Sequence, residues 1–128
     1  MNYSDNTFEK LVSTIEEAIN QAATELFTST KEKFYFFVLS TTSEALAPYI
    51  SAWSHEALQQ QIITQNWNTD DIADFKWSSI DSPYFEFGAQ YFHQVNQAFL
   101  ERPDIHSLET DAEYEKEFNF RIGAMMEA

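Results

Sequence analysis

Two runs of carboxylates are the groups in this sequence whose type and spacing first invite chemistry: Asp70, Asp71 and Asp74, then Glu109, Asp111, Glu113, Glu115 and Glu117. Carboxylates can ligate divalent metals or act as acid and base. The first run lacks the glycine and closing glutamate of a calcium loop. The second alternates every two residues, so on a helix its carboxylates spread around the circumference instead of converging. Both read as solvated acidic faces or as a docking surface for a cationic partner. With Asp81 they give nine candidate partner-binding residues: Asp70, Asp71, Asp74, Asp81, Glu109, Asp111, Glu113, Glu115 and Glu117.

The remaining reactive residue types offer less. Cysteine is absent, which removes thiolate metal sites, thiol nucleophiles and disulfides. His55, His93 and His106 lack the spacing of a helical zinc pair, so no metal is expected. With only two glycines, neither GxxxxGK nor GxGxxG can be written, and phosphate-binding loops are excluded. Ser78, Ser79 and Ser82 lack the glycine-flanked turn of a hydrolase nucleophile and suit loop capping. A protein without catalytic residues or cofactor is the expectation.

Charge is the most unusual property. Seven Lys and Arg against 21 Asp and Glu give a net charge of −14. A field of that sign repels nucleic acid and anionic membranes and accelerates encounter with a basic partner. The C-terminal half, from Asp70 on, carries most of it. The first residues lack the basic start and apolar core of a signal peptide, and no apolar run is long enough to span a bilayer, so a cytoplasmic protein is expected.

The elements that must position these groups follow from periodicity. Phe8, Leu11, Val12, Ile15, Ala18, Ile19, Ala22, Ala23, Leu26 and Phe27 recur at spacings of three and four, which predicts a long amphipathic helix, with Asn6 and Glu9 as its capping box. The aromatic run Phe34 to Leu39 suits a strand buried on both faces, and Ala45 to Trp53 a second strand, joined by a turn over Ser40 to Glu44 into a hairpin. Pro48 cannot donate to a ladder and belongs on an edge or at a bulge. Ser54 can cap a helix with Ala57, Leu58, Ile62 and Ile63 on its inner face.

Ile72 to Trp77 alternates well enough to predict a third strand. Its Phe75 and Trp77 would share one core with Phe36, Val38 and the N-terminal helix. Phe85 to Leu100 then has helical spacing, with a stripe of Phe85, Ala89, Phe92, Val95 or Asn96, and Phe99. A last helix starts near Ser107 or Thr110, with Tyr114, Phe118, Ile122 and Met125 recurring along it. The expectation is one α+β domain over residues 1–128, a small antiparallel sheet made of a hairpin plus a third strand packed against helices, in the order αββαβαα.

KFYFFVLSTTSEALAPYISAWSHEAL followed by FKWSSIDSPYFEFGAQYFHQVNQAFL, behind a long N-terminal helix, resembles a bacterial domain-of-unknown-function family, the one numbered forty-three-oh-three, over Leu11 to Met126. The shared pattern is an aromatic strand pair entering a helix through Trp53, Ser54, His55 and Glu56, then Phe75, Lys76, Trp77 and Ser78 before an aromatic helix. The resemblance implies a glycine-containing turn and a further strand beyond the segment matching Phe118 to Met126, which a sequence ending at Ala128 does not contain. It also implies a place among polymorphic toxin genes, hence an immunity protein that neutralises a cognate, basic toxin by occlusion. No active-site residue comes with it. The competing readings are an adaptor or homodimeric assembly protein using an open strand edge, and an enzyme with a carboxylate site.

Overall fold

The computed structural model describes residues 6–128. Helix α1 (Thr7–Ser29) buries Leu11, Ile15, Ala18, Ala22 and Leu26, the stripe that its spacing of three and four predicts. Its start differs from expectation. Asn6 lies in the left-handed region (φ 63°) and its side chain makes no capping bond. The far end is closed by Thr30, whose Oγ1 and backbone N–H both donate to the Leu26 carbonyl.

Strands β1 (Phe34–Ser40) and β2 (Tyr49–Ser54) pair antiparallel as the expected hairpin, with Phe37 opposite Ala52 and Leu39 opposite Ile50, and an irregularity at Tyr35. Pro48 stands one residue before β2, so its missing N–H removes no ladder bond. The connection is therefore longer than five residues. It is held by Thr41 Oγ1 donating to the Leu46 carbonyl (2.5 Å) and by the Thr42 hydroxyl accepting from Glu44 and Leu46. Burial on both faces belongs to β2; every residue of β1 is only half-buried.

The two faces of the hairpin are covered differently. Phe37, Leu39 and Ile50 turn toward α1, α4 (His93–Leu100) and α5 (Asp111–Glu127), and pack with Ile15, Ala22, Val95, Phe99, Phe120 and Ala124. The opposite face presents Phe36, Trp53, Val38, Ser51 and Tyr49. It is closed by segment 76–85, a coil interrupted by one short 3-10 turn, Ser79–Asp81. Ser51 Oγ donates to Ser79 O (2.6 Å), Trp53 Nε1 to Ser78 O (2.8 Å), Tyr35 Oη to Lys76 O (2.6 Å), and Ser82 Oγ to Ala52 O.

The third strand does not form, and the order is αββαααα. Helix α2 (His55–Gln65) begins on Ser54, whose hydroxyl accepts from Ala57 N (2.9 Å), and ends on a left-handed Asn66. Of its expected inner face only Leu58 is fully buried, and Ile63 is exposed. Helix α3 (Thr69–Phe75) then occupies the place of the strand. Its cause is local: the Asn68 side chain accepts from Asp71 N (2.8 Å) while the Asp71 carboxylate accepts from Asn68 N (3.0 Å), a reciprocal cap that satisfies two amide donors at the helix start. Phe75 stacks on Trp67 across the helix, with ring centroids 4.8 Å apart. Trp77 stays 63% exposed against Phe36, so these residues do not share the helical core.

The helix expected from Phe85 begins later. Gly88 (φ 74°) makes a left-handed turn into a 3-10 segment, Ala89–Phe92, that leads into α4, while Phe85 leans on Tyr49. A Cβ at Gly88 would stand 2.6 Å from Ala22 Cβ, so both backbone angle and space demand glycine there. In α5 the buried face is Glu117, Phe120, Arg121 and Ala124, one step round from the expected Tyr114, Phe118, Ile122 and Met125. No helix among the described residues is long and apolar enough to cross a membrane.

Candidate partner-binding surface

The nine acidic candidates separate into three environments. Glu109, Asp111, Glu113 and Glu115 lie exposed at and before the start of α5. Thr110 caps that helix by accepting from Glu113 N (3.1 Å), and Asp111 and Glu113 favour its positive end. Asp70 and Asp74 are exposed on α3, where Asp71 is occupied as the cap partner, and exposed Asp81 accepts from Ser78 Oγ. No extensive packing of α3 on α5 joins the two groups.

Glu117 is a correction. It is buried, 5% exposed, because Arg121 lies one helical turn further along α5 and Arg102 approaches from the end of α4. Glu117 accepts from Arg102 Nε (3.0 Å), Arg102 Nη2 (2.5 Å) and Arg121 Nε (2.8 Å). Arg121 also donates to the carbonyls of Ala45 (3.2 Å) and Pro103 (2.8 Å), and the Arg102 guanidinium sits 3.8 Å above the Phe120 ring. Removing a carboxylate from beside two shielded guanidinia is costly, so this group is a structural tie and is closed to a partner.

One groove is lined by residues outside the nine acidic candidates. It holds about 660 Å³ on the outer face of α1 between Ser13, Glu16, Glu17, Asn20, Thr24, Glu25 and Tyr91. A neighbouring hollow of about 340 Å³ shares Glu17, Gln21 and Tyr91 and extends to His93 and Gln94. Gln90 Nε2 donates to Glu25 Oε2 (3.3 Å) across its edge. The signal was present: Ser13, Glu17, Gln21 and Glu25 form one row at spacing four, and Glu16, Asn20 and Thr24 form another. Polar rows opposite an apolar stripe read as a wet helix face, and nothing in the sequence announces that Tyr91 will wall it.

Other chemically capable groups are tied into the fold. Glu32 accepts from Ser54 Oγ and from Tyr84 Oη (2.6 Å), joining the start of β1, the end of β2 and the coil beyond. Burial, with Glu32 as hydrogen-bond partner, pushes the Tyr84 hydroxyl up to about 12, and burial does the same for Tyr35. Both hydroxyls stay protonated at neutral pH. His55 packs on Tyr35, and His106 pairs with Glu44 (2.7 Å). The Lys33 backbone N–H holds the Glu56 carboxyl below its usual range, as those of His106 and Ser107 Oγ do for Asp104. Among the described residues no three His, Asp or Glu side chains gather as a metal would require.

Residues 15–128 match the profile of a domain of unknown function, DUF4303. The chain belongs to that family. The match takes in both strands, the Glu117 tie, α3 and the groove from Glu16 onward, so every feature described above except the first turns of α1 is DUF4303 sequence. No curated protein and no solved structure matches the chain.

Proposed function

We propose that this DUF4303 protein is a cytoplasmic, non-enzymatic, immunity-type factor that binds a basic toxin and neutralises it by covering its working surface. The observation that supports this most is how the fold distributes charge. Arg102 and Arg121 both turn onto Glu117, so of the seven basic residues of the sequence only the five lysines are left to offset its twenty other acidic residues. Occlusion needs surface and charge but no reacting group, and the hydroxyls and carboxylates best placed to react are engaged within the fold. In this reading Glu16, Glu17 and Glu25 receive a lysine or arginine anchor of the partner in the α1 groove. Asp70, Asp74, Asp81, Glu109, Asp111, Glu113 and Glu115 steer its approach.

The test is to recover the partner from the source cell and follow association of the purified pair across a salt series. A basic partner whose on-rate falls steeply with salt supports the proposal. Glu17→Gln with Glu25→Gln should then raise the off-rate. A partner that is acidic, or that associates equally fast at low and high salt, overturns it.

A further inference from the structure

Strand β1 uses one edge only. It pairs with β2, and among the described residues no other backbone hydrogen bond leaves Phe34–Ser40. The second edge thus presents a row of unpartnered N–H and C=O groups, and the usual protections are missing: Phe34 to Ser40 contains no charge and no proline. Its only irregularity lies at one end, between Phe34 and Phe36. Half-exposed aromatics flank the edge from both faces. Phe27 (51% exposed) packs on Phe34 and Phe37 from the helical side, and Trp77 packs on Tyr35 and Phe36 from the other.

Charge says what fits there. A basic strand would meet no carboxylate within β1, whereas an uncharged strand needs none. Three of the five lysines lie around this edge, Lys31 and Lys33 just before β1 and Lys76, whose ammonium is 5.5 Å from the Trp77 ring, and they offset the carboxylates there, Glu32 and the Glu56 held on the Lys33 N–H. Repulsion between two strongly acidic copies is therefore weakest at this place. We infer that β1 pairs antiparallel with β1 of a second copy, making a four-stranded sheet across a two-fold axis at Phe37. Such a pair is self-complementary, as a two-fold interface must be. Centred on Phe37, it sets Lys33 across from Thr41 of the other copy, where β1 gives way to the turn, and brings Lys31 toward that turn's half-buried Glu44, which pairs with His106 in its own copy. A two-stranded ribbon, marginal by itself, gains two neighbours. This inference is independent of the toxin-binding proposal and uses a different surface.

Light scattering on the full chain over a range of concentrations, at physiological salt, tests it. The mass should rise from 14.9 kDa toward twice that value, with outward amides of β1 gaining protection from hydrogen exchange in step. Lys31→Glu with Lys33→Glu should weaken the dimer about tenfold, through loss of the attraction of both lysines to Glu44 at each end and its replacement by repulsion, and adding Glu44→Lys should restore it. A monomer at every concentration overturns the inference. So does a dimer indifferent to the charge reversals, which would use another surface, or protection of β1 amides by a basic partner without any change in copy number.

Discussion

The two faces of the hairpin are closed by opposite means. On one, Phe37, Leu39 and Ile50 meet three helices through apolar contact alone. On the other, Ser51, Trp53, Tyr35 and Ser82 hold a coil by hydrogen bonds to backbone oxygens. Helices satisfy their own backbone and can cover a sheet with side chains, while a coil needs partners for its carbonyls. The serines of β2 and of the segment it faces supply many of these bonds, which explains why Ser51 is fully buried in a strand.

The helical side should break hardest where its single charged tie is cut. Glu117→Ala leaves Arg102 and Arg121 without their carboxylate and should cost about 3 to 5 kcal/mol. Ile50→Ala, on the same side, should cost about 2 to 5 kcal/mol through the cavity it leaves. Urea melts measure both. A loss below about 1 kcal/mol for Glu117→Ala would mean that the guanidinia find water and that the tie is not a structural element.

The coil side should yield in smaller steps, because each of its bonds is one of several. Ser82→Ala removes the hydroxyl that bonds Ala52 and accepts from Tyr84 N, and should cost about 1 to 3 kcal/mol. Trp53→Phe keeps most of the ring, frees the Ser78 carbonyl, and should fall in the same range. If either costs more than Ile50→Ala, the coil and not the helical layer is the main support of the sheet.

Alkali distinguishes the sides as well. The two tyrosines raised to about 12, Tyr35 and Tyr84, both bond across the coil side or its margin. Their unfolded value is near 10, so the unfolded chain ionises first. Their contribution is whole below about pH 10 and is lost as pH rises toward about 12. Stability measured over that window should fall, and Tyr84→Phe should flatten the fall. An identical slope in the variant would place the loss elsewhere.

What could be read from the sequence divides along the same line. The α1 stripe, the pairing of the two strands and the Ser54 cap are local or periodic, and they form as expected, although β2 begins at Tyr49 and not at Ala45. The third strand failed because six alternating residues were outweighed by one local cap, Asn68 with Asp71, and by a Trp67–Phe75 stack that only a helix brings together. The coil of 76–85 has no period to detect; its bonds join residues about thirty apart. Of the candidate surface, the exposed carboxylates of α3 and α5 were legible from composition. The burial of Glu117 was not, although Arg121 at i+4 hinted at it, because Arg102 arrives from another helix.

The smallest effect on stability, and the most informative for binding, comes from two residues on the same helix as Glu117. Glu113 and Glu115 are both exposed and form no ion pair among the described residues, whereas Glu117, half a turn further on, is enclosed by two arginines. Reversing both to Lys should change stability by no more than about 1 kcal/mol, most of it from losing Glu113 at the positive end of α5. Association with a basic partner should slow and lose part of its salt dependence, since exposed charges act over roughly 8 to 10 Å at physiological salt and bear mainly on encounter. Glu17→Gln with Glu25→Gln, in the α1 groove, should instead change the off-rate. Stopped-flow kinetics on both double variants separates the roles. If the α5 reversals leave the on-rate unchanged while the groove variants abolish binding, the carboxylates of the C-terminal half serve solubility and α1 alone carries the partner.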